Sequence, residues 1–295
     1  MSIRLLSNET LFEIFLFIML FCMVEKFANH TKNSIVITLA ISSQKGGVGK
    51  TTLAINLAHA FARSGRRTLL VDSDPQGSVG FSLSRNSRSM AGFYDFLGDE
   101  KLGVQELVVS TQMPTLSLMT AGQDSDYELD GGAMGVTQLR LRTFLAEVKA
   151  LGYDLCLIDT AAGFFGATAG VLSCADAVVV PQQAEPLGVR SAPKVLEALN
   201  RMRMMNPQLD VLGLVLTMVN EGVVESRDAA MALRDLLPAE MVLKTEISRD
   251  DLYLKASARG VPVGVMEEGE EFLAIFEALR FELEKCLEGR LAPRE

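Results

Sequence analysis

Apolar residues in most of this chain recur with two different periods. Short, nearly continuous apolar runs predict strands buried on both faces, at residues 35–41, 68–71, 116–119, 155–158, 177–180 and 211–217. The segments between them place apolar residues at helical spacing and predict helices at residues 50–63, 136–150, 190–205, 227–237 and 268–288. This alternation predicts an α/β fold: a doubly wound, mostly parallel sheet with helices on both faces.

Residues 1–33 have a different pattern from the rest of the chain. Residues 11–24 read LFEIFLFIMLFCMV, an apolar run shorter than the ~20 residues that a spanning helix needs and without the cleavage site of a secretory signal. Residues 26–33 are a polar linker. Three interpretations stay open: translation that starts downstream at Met19 or Met23, a short membrane-associating helix, or a helix that packs on the core or on a partner. We expect residues 34–295 to form one domain.

The amino-acid composition excludes several classes of protein. Of the 295 residues, 48% are hydrophobic and 22% are charged, which is the balance of a globular protein and not of a disordered one. Acidic residues outnumber basic ones 37 to 28, so bulk charge does not favour nucleic acid, although a local basic patch is compatible with this balance. The four cysteines have no close spacing, which excludes a disulfide scaffold and the usual zinc motifs.

A glycine-rich loop joins the first predicted strand to the first predicted helix. Residues 43–52 read SQKGGVGKTT, and such a loop between a strand and a helix is typical of a phosphate-binding P-loop. Its glycines let several backbone N–H groups approach phosphate oxygens, and the helix N-terminus favours negative charge. The final lysine would reach the β- and γ-phosphates, and the hydroxyl after it would bind Mg²⁺. The predicted contacts are Gly46, Gly47, Val48, Gly49, Lys50, Thr51 and Thr52.

Two further predicted strands end in carboxylates. Residues 71–77 read VDSDPQG, which places Asp72 and Asp74 at i and i+2 and therefore on one side of the strand end. Residues 155–160 read LCLIDT, an apolar strand that ends in Asp159. Ligands of open α/β sheets bind at the carboxyl ends of the strands. We therefore expect these three side chains to lie near the glycine-rich loop.

These three motifs together resemble those of one known family, the ParA/MinD group of ATPases. The string KGGVGKTT carries a second lysine, Lys45, at its head and is similar to the deviant Walker A box of that group. VDSDPQG is similar to the second box of the family, and LCLIDT resembles a Walker B strand. The resemblance spans roughly residues 35–265. It departs from the family where two prolines are usual, because Ala161 and Ala162 stand there, and this bears on how rigidly the next loop senses the γ-phosphate.

The resemblance assigns roles to these residues and implies ATP and Mg²⁺ as cofactors. Lys45 would cross a dimer interface to the nucleotide phosphates of the partner and make hydrolysis depend on dimerisation. Asp74 would orient or activate the attacking water, so the predicted catalytic residues are Lys45, Lys50 and Asp74. Asp159 would hold Mg²⁺ and Asp72 would support it through water, so the predicted metal residues are Thr51, Asp72 and Asp159.

Weaker matches extend the predicted site toward the base. The string LTMVN at residues 216–220 matches the segment with which the family contacts adenine, which implies this role for Asn220. The string GVPV at residues 260–263 resembles the loop that closes over the base, which implies that Pro262 packs on it.

The resemblance implies a cytoplasmic, nucleoid-associated ATPase that positions or segregates cargo, either a plasmid, a chromosome region or a protein assembly. It would form an ATP-dependent homodimer, bind DNA without sequence preference, and hydrolyse ATP weakly until a ParB-like protein or cargo adaptor stimulates it. The candidate DNA contacts are Arg201, Arg203, Arg227, Arg234, Lys244, Arg249, Lys255 and Arg259. Two alternatives stay open. One is a MinD-like positioning or secretion/polysaccharide regulator that reaches a membrane through the leader, and the other is a nucleotide-sensing scaffold with little hydrolysis.

Overall fold

Eight strands form a single sheet in the parts of the chain that the computed structural model describes, which are residues 36–83, 90–123 and 134–287. They are β1 (Ile37–Ser43), β2 (Thr68–Ser73), β3 (Val109–Ser110), β4 (Leu116–Met119), β5 (Leu155–Ala162), β6 (Ala177–Gln183), β7 (Asp210–Val219) and β8 (Val242–Ser248). Their order across the sheet is β3-β4-β2-β5-β1-β6-β7-β8. Strand β3 pairs antiparallel with β4 at one edge, and the other described pairs are parallel.

Helices connect the strands of this sheet. They are α1 (Lys50–Arg63), α2 (Ser78–Leu83), α3 (Phe93–Gly98), α4 (Val104–Leu107), α5 (Met134–Ala150), α6 (Gly166–Cys174), α7 (Pro186–Met205), α8 (Val224–Leu236), α9 (Leu252–Arg259) and α10 (Glu270–Cys286). Short 3₁₀ turns occur at Ala239–Met241 and Val263–Val265. Helix α10 packs on α1, α5 packs on α6, and α7 packs on α8.

The sheet is covered on both faces, as the continuous apolar strands predict. Ile37 and Leu39 of β1 pack in one cluster with Phe61 of α1 and Phe276 of α10. Ala40 points to the opposite face, because side chains alternate along a strand, and it is also fully buried. A parallel sheet with both faces buried is the architecture that places strand ends and helix starts along one edge.

The predicted α/β fold class is confirmed, and each predicted strand and helix has a counterpart. The prediction missed β8, because its sequence VLKTEIS mixes buried and exposed positions, as an edge strand does, instead of forming a continuous apolar run. It missed α6 because GATAGVLSC is apolar on all sides and has no helical periodicity. It also missed β3 and the short helices α2, α3, α4 and α9.

The apolar leader, residues 1–33, lies outside the described residues. Its three interpretations and the domain boundary at residue 34 therefore stay predictions. The described residues belong to a compact unit that spans Ser34–Glu295. None of the helices in the described ranges combines the length and the apolar character needed to cross a bilayer.

Candidate functional site

The glycine-rich loop lies between β1 and α1, at the carboxyl edge of the sheet. Gly47 and Gly49 have φ angles of 74° and 87°, in the left-handed region that glycine reaches without steric strain. Gly49 is the N-cap of α1, and no side chain caps the first turn of that helix. The free N–H groups and the positive end of the helix dipole make this turn a binding site for an anion.

Lys50 is buried beneath this loop. Its ammonium nitrogen lies 3.4 Å from the Ser43 hydroxyl oxygen and 3.4 Å from the Lys45 carbonyl oxygen. Burial lowers the pKa of Lys50, while Asp159 and Asp74 act in the opposite direction. Hydrogen bonds between charged groups are stronger than bonds to neutral acceptors, so a phosphate oxygen would be a better partner for Lys50 than these two oxygens.

Thr51 and Asp159 form a pair that fits a metal ion. The Thr51 hydroxyl donates a hydrogen bond of 2.7 Å to Oδ2 of Asp159. The other carboxylate oxygen, Oδ1, is buried and has no hydrogen-bond partner among the described residues. Burial, followed by the nearby Asp72, raises the pKa of Asp159 well above its usual range. A bound cation would give this oxygen a partner and stabilise the buried negative charge.

The chemistry of this pair suits Mg²⁺. Hydroxyl and carboxylate oxygens are hard ligands, and Mg²⁺ usually binds one or two carboxylates while phosphates and water complete its octahedron. Across the described ranges, no three His, Cys, Asp or Glu side chains gather into a metal-binding group. Thr51 and Asp159 would therefore hold the ion together with phosphate oxygens, and not within a cage made by the protein alone.

Asp72 is bound to the backbone of the next helix. Its Oδ2 accepts the N–H groups of Val79, at 2.9 Å, and Gly80, at 3.2 Å, in the first turn of α2. Its Oδ1 accepts the N–H of Asp74 at 3.1 Å. Burial raises the pKa of Asp72 to about 7 against the effect of these three bonds. The structure thus places Asp72 next to Asp159 as a helix-capping carboxylate, and its contact with Mg²⁺ through water stays a prediction.

One cleft of about 590 Å³ unites most of the predicted phosphate site. At one end it is lined by Gly46, Gly47, Gly49, Lys50, Thr51, Thr52 and Asp74. Asp74 is half-buried there, and its Oδ1 accepts the N–H of Gln76 at 3.0 Å, which fixes the turn after β2. Val48 is instead buried behind the loop, where its carbonyl oxygen accepts the Thr217 hydroxyl at 2.9 Å.

The remaining lining of the cleft is mostly apolar, and we call it the apolar end; the sequence reasoning missed it. It is lined by Ile55, Asn56, Met218, Tyr253, Ala256, Ser257 and Val261. The Tyr253 ring packs edge to face on Phe272, with 5.3 Å between the ring centroids. Met218 has a φ of 53°, which is uncommon for a residue with a side chain, and its Cε lies beside Gly49. An apolar end next to a phosphate-binding end suits the organic part of a nucleotide.

Asn220 and Pro262 do not line this cleft. The Asn220 side-chain oxygen accepts the N–H of Gly222 at 3.0 Å, in a local turn after β7. Pro262 follows Val261, which does line the cleft, and the loop is tied to α1 because Asn56 Oδ1 accepts the Val263 N–H at 2.7 Å. The contacts of Asn220 and Pro262 with a base stay predictions.

Two of the missed cleft residues carried a signal in the sequence. Met218 belongs to the same string, LTMVN, as Asn220, and Asn56 lies one helical turn after Thr52 on α1. Tyr253 had no such signal, because the pattern did not predict α9.

Lys45 lies at the head of the loop and outside the cleft lining. Its ammonium nitrogen lies 3.5 Å from Oε1 of Glu185 in the same chain, and the two side chains are 40% and 33% exposed. The predicted contact of Lys45 with the nucleotide of a partner stays a prediction.

Comparison with known proteins identifies the family. Residues 36–211 match a family described as an AAA domain. The chromosome partitioning protein ParA of Caulobacter vibrioides is 36% identical over 230 residues, which cover 76% of this chain and 85% of that protein. This chain belongs to the ParA/MinD family of ATPases. The family predicted from the three sequence motifs is therefore confirmed.

Two solved structures share the fold of this chain. The ATP complex of a Cyanothece McdA variant superposes with a TM-score of 0.73 at 22% identity, over 85% of this chain and 98% of that one. The septum site-determining protein MinD of Pyrococcus horikoshii, complexed with Mg-ADP, gives a TM-score of 0.68 at 22% identity, over 88% and 99% of the two chains. At these identities the likeness shows the fold, and the site is argued from this chain's own residues.

Proposed function

We propose that this ParA/MinD family member binds ATP with Mg²⁺ and hydrolyses it weakly until a partner protein stimulates it. The observation that carries the proposal is the convergence of the glycine-rich loop, Lys50, Thr51 and Asp74 on one cleft, with Asp159 bound to Thr51. The apolar end with Tyr253 and Met218 would take the adenosine. The known relatives named above, with their ATP and Mg-ADP complexes, support the same assignment.

Four side chains at the phosphate end have a part in hydrolysis. Lys50 donates its ammonium protons to phosphate oxygens, where negative charge grows in the transition state. Thr51 and Asp159 would hold Mg²⁺, and the ion would supply positive charge that offsets the charge of the phosphates. Asp74 accepts a hydrogen bond from the attacking water and so orients it. Phosphoryl transfer needs mainly positioning and charge stabilisation, and these four residues supply both.

ATP would also bring two copies of the chain together, with Lys45 reaching the partner's phosphates. Exposed apolar side chains beside the cleft support this step. Phe165 is the N-cap of α6 and 74% exposed, and Leu187 in the first turn of α7 is 57% exposed. Val223 and Val224 at the start of α8 are exposed as well. Large apolar side chains at the starts of three helices on one edge indicate a surface that another protein covers.

The ATP dimer would bind DNA without sequence preference. Three of the candidate cations are exposed near the carboxyl edge of the sheet: Arg227 in α8, Arg249 just after β8 and Lys255 in α9. Arg234 is unsuited to this role, because its guanidinium is paired with Glu246 at 2.7 Å and also donates to backbone carbonyl oxygens. Exposed cations of this kind bind phosphates and give affinity that falls with salt.

The cargo of such a cycle would be a plasmid, a chromosome region or a protein assembly, positioned by repeated attachment to the nucleoid in the cytoplasm. The relative from Caulobacter vibrioides is a chromosome partitioning protein, which favours DNA cargo. Attachment to a membrane through the leader remains the alternative, and residues 1–33 lie outside the described ranges.

Binding of the full-length protein to random-sequence duplex DNA tests this proposal. We expect binding with ATP and Mg²⁺ but not with ADP, and a steep loss of affinity between about 50 and 200 mM salt. The variant Arg227→Glu/Arg249→Glu should lose most of this binding. Lys149→Glu is the matched control, because Lys149 is exposed in the last turn of α5, which leads into the amino end of β5, and is not a candidate DNA contact. DNA binding that is equally strong with ATP, with ADP and without nucleotide would contradict the DNA proposal. So would the absence of DNA binding by a protein that does form ATP-dependent dimers.

A further inference from the structure

We infer that Glu185 is a positioning residue that holds Lys45 within its own chain until a second copy offers a phosphate in its place. The inference rests on the proposed function, because it takes from there the contact of Lys45 with the partner's nucleotide. It concerns regulation of that contact. The observation behind it is the ion pair between the Lys45 ammonium nitrogen and Glu185 Oε1, 3.5 Å apart.

The fold brings these two residues together from distant parts of the sequence. Strands β1 and β6 are parallel neighbours, with Leu39 opposite Ala177 and Ile41 opposite Val179. Lys45 follows the last residue of β1 by two positions, and Glu185 follows the last residue of β6 by two positions. Two loops that leave adjacent strands at the same edge, with the same offset, therefore place opposite charges side by side.

Glu185 has no competing use for its carboxylate in α7. It is the N-cap of that helix but makes no side-chain cap hydrogen bond. Its backbone is fixed independently, because its N–H donates to the Gln183 carbonyl oxygen at 3.0 Å and Pro186 follows it as the first helical residue. A Glu185→Gln substitution therefore removes the charge next to Lys45 without removing a helix cap.

The backbone of Lys45 is linked to the phosphate site as well. Its carbonyl oxygen accepts the Ser43 hydroxyl at 2.7 Å and lies 3.4 Å from the Lys50 ammonium. A phosphate that binds Lys50 would take that ammonium from the Lys45 carbonyl oxygen, which loosens one of three restraints on Lys45 and leaves the Ser43 hydrogen bond in place. The restraint on the Lys45 side chain is Glu185, and a partner's triphosphate would compete with it because the triphosphate carries more negative charge than one carboxylate.

The size of the effect follows from the exposure of the pair. With side chains 40% and 33% exposed, the ion pair is screened by water and salt, and surface pairs of this kind have small effects. We expect Glu185→Gln to lower the dissociation constant of the ATP dimer by about two- to fivefold at low salt. The difference should shrink at high salt, where the pair is already screened in the unmodified chain.

The test is sedimentation of the full-length protein with ATP and Mg²⁺, in an Asp74→Ala background that keeps the nucleotide intact. The matched control is Glu197→Gln, because Glu197 pairs with Arg201 on the same helix, α7, and is 68% exposed. That control should leave the dissociation constant unchanged. A double-mutant cycle with Lys45→Gln isolates the pair, since Glu185→Gln should have no further effect once Lys45 is gone.

A second measurement detects the ion pair in the absence of nucleotide, through the rate at which Lys45 is acetylated. Limited acetylation followed by mass spectrometry should show Lys45 labelled faster in Glu185→Gln than in the unmodified chain, with Lys194 on α7 as the internal reference. Faster labelling together with tighter dimers supports the inference. Unchanged labelling, or faster labelling with unchanged or weaker dimers, overturns it while leaving the proposed function intact. Absence of ATP-dependent dimers in every variant, the unmodified chain included, would overturn the proposed function and this inference with it.

Discussion

The two ends of the cleft hold their side chains by different means. At the phosphate end, charged and hydroxyl groups hold one another through hydrogen bonds. The Thr51 hydroxyl, for example, donates a hydrogen bond of 2.7 Å to Asp159. At the apolar end, side chains are held by packing. The Tyr253 ring, for example, packs edge to face on the Phe272 ring. Binding at the first end depends on charge and on atoms placed within tenths of an ångström, whereas binding at the second depends mainly on buried area. Substitutions at the two ends should therefore differ in size and in kind.

The largest effect is expected at Asp74. Asp74→Ala removes the group that orients the attacking water, so turnover should fall by about 10²–10⁴-fold while ATP affinity stays within a fewfold of the unmodified chain. Phosphate release and a fluorescent-nucleotide titration measure the two quantities. Asp228→Ala, at an exposed position of α8, is the control and should change neither. Turnover that is already low in the unmodified chain and does not change in Asp74→Ala would favour the nucleotide-sensing scaffold.

Substitution of Thr51 should give the next largest effect, which is a loss of the nucleotide affinity that depends on Mg²⁺. Thr51→Val keeps the shape of the side chain but removes the hydroxyl that binds Asp159, so Mg²⁺-dependent nucleotide affinity should fall by about 10–100-fold. Chelation of Mg²⁺ with EDTA should lower the affinity of the unmodified chain and have little effect on the variant. Thr143→Val on α5 is the control, because its hydroxyl is exposed and bonds within its own helix. Equal EDTA sensitivity of the variant and the unmodified chain would contradict the assignment.

Tyr253 should show a smaller effect of a different kind. Tyr253→Leu keeps an apolar side chain but loses the ring, a loss of about 0.5–1.5 kcal/mol, or roughly two- to twelvefold in affinity. The loss should be the same for ATP and ADP and independent of Mg²⁺, because the ring contributes packing and no charge to the cleft. Tyr153→Leu is the control, since that ring stacks on Arg67 and does not line the cleft. A change confined to ATP would contradict the division into two ends.

The last effect concerns the dependence of folding stability on pH, and it is measured apart from nucleotide binding. Burial raises the pKa of Asp72 from its usual 3.8 to about 7 in the folded chain. Between these two values the folded state retains a proton that the unfolded state has released. The free energy of unfolding should therefore fall as pH rises through this window. Asp72→Asn removes the titrating group, so its stability should fall less steeply between pH 4 and pH 7. Urea unfolding across that range measures both slopes, and parallel slopes would contradict the assignment.

The phosphate end was predictable because its chemistry lies in one strand–loop–helix unit. Residues 43–52 carry the glycines, Lys50 and Thr51 in a single string. Asp74 directly follows β2 and Asp159 lies in the carboxyl-terminal half of β5, the part of a strand where the fold class places ligands. The α/β fold itself followed from the alternating periods, because strands buried on both faces are continuous apolar runs.

The apolar end was not predictable, because distant elements build it. Ile55 of α1, Met218 of β7 and Tyr253 of α9 meet only after the sheet has formed. The string that holds Asn220 reaches the cleft through Met218. The Asn220 side chain instead bonds its own backbone, as short polar side chains often do, and accepts the N–H of Gly222. Edge strand β8 and helix α9 were missed for a related reason, since partly exposed elements leave weak apolar patterns.

The mass of the particle with ATP tests the central claim most directly. In multi-angle light scattering of the full-length Asp74→Ala protein, we predict that ATP and Mg²⁺ double the mass of the single chain. We predict that ADP and Mg²⁺, or ATP after removal of Mg²⁺, leave the mass unchanged. A single-chain mass under all conditions, or the same dimer without nucleotide, would contradict an ATPase whose cleft and Lys45 control association.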